Sequence, residues 1–140
     1  MNWYHALLFV HVLAAFLAVA GVVMYLGFLT ATGSGASAPG QAPLLRLAPL
    51  ATGLWNVGGL GTIIFGIWLA INRPQYELWD AWVIAAIVLW VIASAAGGRV
   101  GVGYRALRRG TGAPASAAIH AAMAVAVALL LIDMIYKPGA

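Results

Sequence analysis

Residues 3–29 read WYHALLFVHVLAAFLAVAGVVMYLGFL, without one Lys, Arg, Asp or Glu. Crossing about 30 Å of hydrocarbon takes about 20 helical residues, so this run is long enough to span a bilayer. A cleavable signal needs a basic leading region and a short apolar core. No Lys or Arg precedes Arg46, so the run is expected to remain as a span. Three more stretches qualify: 50–71, 81–103 and 116–136. None alternates with period two, which sets a β-barrel aside. The predicted fold is all-α, a single transmembrane domain over residues 1–140, with four helices in antiparallel up-down order.

Composition agrees. Of 140 residues, 64% are hydrophobic and 7% charged, against about 25% charged in a soluble domain. So little charge cannot coat a water-facing surface, whereas lipid requires none. The lipid bilayer is therefore the expected partner. A net charge of +4 is too sparse for a nucleic-acid surface, and the chain has no cysteine for thiolate or disulfide chemistry. Six Trp and five Tyr suit the aromatic belts of membrane proteins.

Residues 30–49 form a Gly/Ser/Pro-rich loop, with a short interfacial segment expected around Leu44–Leu47. Asn72–Asp80 is a polar turn containing Pro74, and Arg105–Ala115 is basic and then Gly/Pro-rich. Arg46, Arg99, Arg105, Arg108 and Arg109 fall on one side of the membrane; Arg73 and Lys137 fall on the other. Since Lys and Arg accumulate on the cytoplasmic side, both termini are expected outside the cytoplasm (N-out, C-out), in the cytoplasmic membrane.

Helices in lipid associate through close packing of small residues. Candidate stripes are Ala14, Ala18 and Gly21; Gly58, Thr62 and Gly66; Ala93, Gly97 and Gly101; and Ala118, Ala122 and Ala126. The span-two glycines either pack a helix or make room for a flat cofactor.

Ionisable groups in a membrane are costly and are functional candidates. His11 lies roughly 12 Å into span one at 1.5 Å per residue, on the face of Ala14, Ala18 and Gly21. It is a candidate haem ligand or proton relay, or else a histidine bonded to Thr62, expected at the level of Gly61–Thr62. His120 on span four either pairs with Asn56 or serves as an axial ligand. The depths of His11 and His120 differ by roughly 10 Å, so they are not expected to grip one iron together. His11, His120, Asn56 and Thr62 are thus the candidate cofactor-binding residues. His5 is read as an interface residue, and Asp133 as the partner of Lys137 four residues on. The outer-side set of His5 and Asp133, with Glu77, is a candidate cation site, without a known metal spacing behind it. No paired intramembrane carboxylates, phosphate loop or nucleophile–base pair is present, so no catalytic residue is assigned.

The segment Phe9-Val10-His11-Val12-Leu13 followed by Gly21, the stretches Leu54-Trp55-Asn56 and Trp79-Asp80-Ala81-Trp82, and the ending Asp133 to Gly139 resemble a bacterial four-helix integral-membrane family known as a domain of unknown function. More distantly, the chain is similar to copper-resistance D-type membrane domains and to the four-helix haem-dependent protoporphyrinogen oxidase. In the oxidase an early His of the first span and a Lys of the third matter. His11 matches the first, but no Lys occurs between Ala81 and Val102. That departure argues against the oxidase activity and leaves binding of haem b open, with no cofactor as the alternative. The expected function is a small haem- or quinone-associated redox accessory or binding module. The alternatives are a structural subunit or scaffold, working with a membrane-complex partner or as a homo-oligomer, and, fitting less well, a copper or small-solute transporter.

Overall fold

The computed structural model describes residues 2–32, 41–73 and 76–137, with backbone alone at 41 and 42. Much of the predicted loop (33–40), Pro74 of the polar turn and the closing Pro138-Gly139 lie outside the described residues. The described chain is all-α: α1 (Trp3–Thr32), α2 (Gln41–Leu45), α3 (Ala48–Ile71), α4 (Ala81–Arg108) and α5 (Ala117–Tyr136). The four longer helices are long and apolar enough to cross a membrane, and they form a four-helix bundle. Side chains such as Phe9, Phe16, Val23, Leu60, Ile64, Val91 and Ile135 are exposed along them. Apolar surface on that scale is covered by lipid rather than water.

Helix ends follow local chemistry. Pro49 opens α3, where its missing N–H costs nothing. Ser116 caps α5, its hydroxyl accepting from the Ile119 N–H at 3.4 Å. α4 continues through Arg108 rather than stopping at Gly103. Arg105 and Arg108 occupy its last turn, where cations offset the negative end of the helix dipole. A short helix, α2, stands where the interfacial segment was expected, a few residues earlier than Leu44–Leu47.

The bundle is two tight pairs, α1 with α3 and α4 with α5, that meet more loosely. In the first pair Gly58 lies against Ala14 and Ala18. A Cβ on Gly58 would sit 2.7 Å from the Ala14 carbonyl oxygen and overlap the Ala18 backbone. Gly21 rests against the Trp55 backbone, 2.9 Å from its nitrogen to a built Cβ. Trp55 then carries its indole onto Gly97 of α4, and the Trp90 indole N–H donates to the Gly59 carbonyl at 3.0 Å. These two tryptophans tie α4 to α3.

The buried face of α5 differs from the expected stripe. Ala118 and Ala122 are exposed; His120, Met123, Ala126, Leu130 and Asp133 are buried. The bonded His120 ring lies on the buried face, Ala126 of the expected stripe stays on it, and Ala118 and Ala122 are turned outward.

Candidate functional site

Loose contact between the two helix pairs leaves a cavity of about 500 Å³ at the end where α1 and α4 begin and α3 and α5 finish. Its body is apolar, walled by residues such as Leu8, Val12, Phe16, Leu69 and Leu130. His11, Thr62, Gly66 and Trp82 line it, and Tyr4, Arg73, Tyr76 and Lys137 complete it toward the helix ends.

His11 reaches this cavity because Gly66 lacks a side chain. A Cβ on Gly66 would lie 3.0 Å from His11 Cε1 and 3.5 Å from Nδ1. The level is nearer Gly66 than Gly61, which faces the Ala14 methyl instead. The pairing of Ala18 with Gly58 and Gly21 with Trp55 fixes the antiparallel register. Running that register toward the N-terminus brings His11 onto Gly66. Thr62 lines the same cavity, but its hydroxyl donates to the Gly58 carbonyl at 2.7 Å. His11 Nδ1 is buried without a hydrogen-bond partner; the expected bond to the Thr62 hydroxyl does not form, and the ring approaches the Thr62 backbone instead. Trp82 is 6% exposed, and its indole N–H likewise has no partner. That group can only donate, and a buried polar group left unpaired costs about 1–3 kcal/mol. Two unsatisfied ring nitrogens thus border one cavity.

At the mouth, the Arg73 guanidinium lies over the Tyr4 ring, 3.9 Å from its centroid. The Lys137 ammonium donates to the Tyr76 hydroxyl at 2.8 Å and sits 4.5 Å and 5.5 Å from the Tyr76 and Trp82 ring centroids. The expected Asp133–Lys137 pair is absent: Asp133 is buried with Oδ2 unpartnered. Lys137 has left the helix in a left-handed conformation, φ 42°, and its side chain goes to Tyr76 instead.

No family model, curated protein or solved structure matches this chain.

The remaining candidates lie apart from the cavity. His120 is fully buried near the far end of the bundle. Its Nδ1 is 3.0 Å from the Ser116 carbonyl oxygen and its Nε2 3.0 Å from the Tyr104 hydroxyl. A carbonyl only accepts, so Nδ1 carries the proton in the neutral ring and Nε2 accepts from Tyr104. Both nitrogens are therefore engaged within the protein, and axial ligation would cost both bonds. Asn56 is exposed on α3. It follows the buried Trp55 by one residue, which turns it about 100° from the packed face, so the His120–Asn56 pair is not formed. His5 is exposed and meets the Tyr4 ring edge-on at 5.6 Å between centroids, whereas Asp133 is buried. Among the described residues no three His, Asp or Glu side chains converge on a metal position.

Around His120 the fold builds a polar core that sequence reasoning missed. Tyr25 and Tyr104, both fully buried, stack at 5.7 Å with planes 7° apart. The Tyr25 hydroxyl bonds Thr52 Oγ1 at 2.9 Å. Tyr25 continues the face of Ala14, Ala18 and Gly21 by one turn, a signal present in the sequence. Replacing His120 by Phe removes the shorter of the Tyr104 hydroxyl's contacts and leaves it the Tyr25 carbonyl at 3.4 Å, which should cost about 1 kcal/mol. Tyr104→Phe should cost a similar amount, and the double variant less than the sum, because the pair then disappears together. Unfolding in mixed micelles measures all three; additive costs would show that the two rings do not support each other.

Proposed function

We propose that this protein is a membrane-embedded binding module for a redox cofactor of the haem or quinone class, held in the cavity beside His11. The observation that carries the reading is that cavity. It is apolar in its body, about 500 Å³, and within the range usual for ligand sites. Two ring nitrogens without protein partners border it. A quinone carbonyl would accept a hydrogen bond from either ring. A haem would take its iron ligand from a neutral His11, the role implied by the resemblance of the His11 segment to haem-dependent membrane proteins. The bundle supplies the apolar sleeve, and Gly66 supplies the space.

The test is a titration in phosphatidylcholine nanodiscs with haem and, separately, with a short-chain ubiquinone, read by tryptophan quenching and absorbance. At least one should saturate at one per chain. Gly66→Leu, which fills the space beside His11, should abolish that binding. Unchanged binding in Gly66→Leu would place the ligand elsewhere. Binding of neither compound would favour a scaffold role.

The same reading places Arg46 and Arg105–Arg109 at the cytoplasmic face and the cavity mouth at the opposite face of the cytoplasmic membrane, since five Lys/Arg stand against two. Alkaline phosphatase fused after residue 140 should be active and a fluorescent-protein fusion dark. The reverse pattern would invert this orientation.

A further inference from the structure

Two cations stand at the mouth of the cavity, and among the described residues neither is paired with a carboxylate. The chain has only three acidic residues against seven Lys and Arg. Asp133 is buried away from Lys137's ammonium, which bonds Tyr76. Asp80 accepts the Glu77 backbone N–H at 3.0 Å, and Glu77 is exposed. Arg73 and Lys137 instead rest on aromatic faces. Such contacts hold a cation in place while leaving most of its N–H donors unused: five on a guanidinium, three on an ammonium. Both residues line the same cavity as His11 and are partly buried. An anion there would make charge-assisted hydrogen bonds, roughly twice as strong as neutral ones.

We propose that the cofactor taken by this cavity carries an acidic group, a carboxylate in the first instance, which Arg73 and Lys137 grip at the mouth while the apolar body of the molecule lies beside His11. It rests on the reading of the cavity as a cofactor site and narrows that reading. A carboxylate-bearing macrocycle such as haem satisfies it, and an uncharged quinone does not. The cations also set the direction of entry, acid end toward the membrane surface.

The experiment changes the ligand before it changes the protein. Nanodiscs of phosphatidylcholine alone, which exclude anionic lipid, are titrated with ferric haem and with its dimethyl ester, the same ring without charge. A second pair, palmitate and methyl palmitate, repeats the comparison without iron. The acid of each pair should bind at least about tenfold more tightly than its ester, as expected for a charge-assisted contact. The advantage should shrink with added salt and vanish in the Arg73→Gln/Lys137→Gln double variant. Equal binding of acid and ester, or an advantage that survives in the double variant, overturns the inference and leaves the cofactor reading intact. Binding of neither member of either pair overturns both. Displacement of haem by phosphatidylglycerol, dependent on Arg73 and Lys137, would assign the mouth to a lipid headgroup and overturn the cofactor assignment.

Discussion

Gly58→Leu dismantles the α1–α3 pair. Even the first carbon of the new side chain would overlap the Ala18 backbone and lie 2.7 Å from the Ala14 carbonyl. Neither obstacle is the flexible end of a side chain, so relief requires the helices to part. Overpacking a close contact commonly costs about 1–3 kcal/mol, and more when the backbone must move; about 3 kcal/mol or more is expected here. For a bundle of this size that corresponds to a fall in Tm of roughly 10 °C, read by thermal unfolding in detergent. Gly59→Leu is the control, because a Cβ there meets nothing, and it should leave Tm nearly unchanged. Equal melting of the two variants would show that α1 and α3 are not packed through Gly58.

His11→Ala should have the opposite profile, with little effect on the empty protein and a large one on binding. Truncating a well-satisfied core side chain ordinarily costs about 2–5 kcal/mol. His11 differs, because Nδ1 is buried without a partner and its removal relieves a desolvation penalty of about 1–3 kcal/mol. The two effects oppose, so the unliganded variant should melt within a few degrees of the parent. Binding then separates the cofactors. Loss of one hydrogen bond to a quinone carbonyl, about 1 kcal/mol net, weakens binding roughly fivefold. Loss of the protein's iron ligand removes the absorbance signature of ligated haem altogether. A variant that melts far below the parent yet binds undiminished would make His11 a packing residue only.

The contrast between His11 and Gly58 bears on what a single sequence can tell. Four helices followed from apolar run length, because a bilayer imposes a minimum length that few other constraints mimic. The stripe of Ala14, Ala18 and Gly21 also followed, since helical spacing gathers those residues on one face. Which partner each face meets did not follow. Of the α5 stripe of Ala118, Ala122 and Ala126, which has the same spacing, only Ala126 is buried, because the bonded ring of His120 occupies the packed face. Register was similarly hidden: about one and a half turns of helix separate Gly61 from Gly66, and only the docking of Gly58 on Ala18 chooses between them. Trp82 and Tyr76 escaped notice because an aromatic near a membrane boundary resembles any other belt residue. Their role at the cavity emerges only when α3, α4 and α5 finish or begin at the same place. Polar pairs were the least accessible. Asp133 and Lys137 have the right spacing, but the helix ends at Lys137 in a left-handed turn, and the side chain leaves for Tyr76.

The most direct measurement is the absorbance spectrum of the protein purified in mild detergent from the cells that make it, followed by organic extraction of the same sample. A cofactor of the haem or quinone class in the His11 cavity should appear as a Soret band or as an extractable quinone, at close to one per chain. It should be absent or strongly reduced in protein purified as His11→Ala or Gly66→Leu. A colourless preparation whose extract holds neither compound, or a cofactor retained at full stoichiometry in both variants, would contradict the assignment of that cavity.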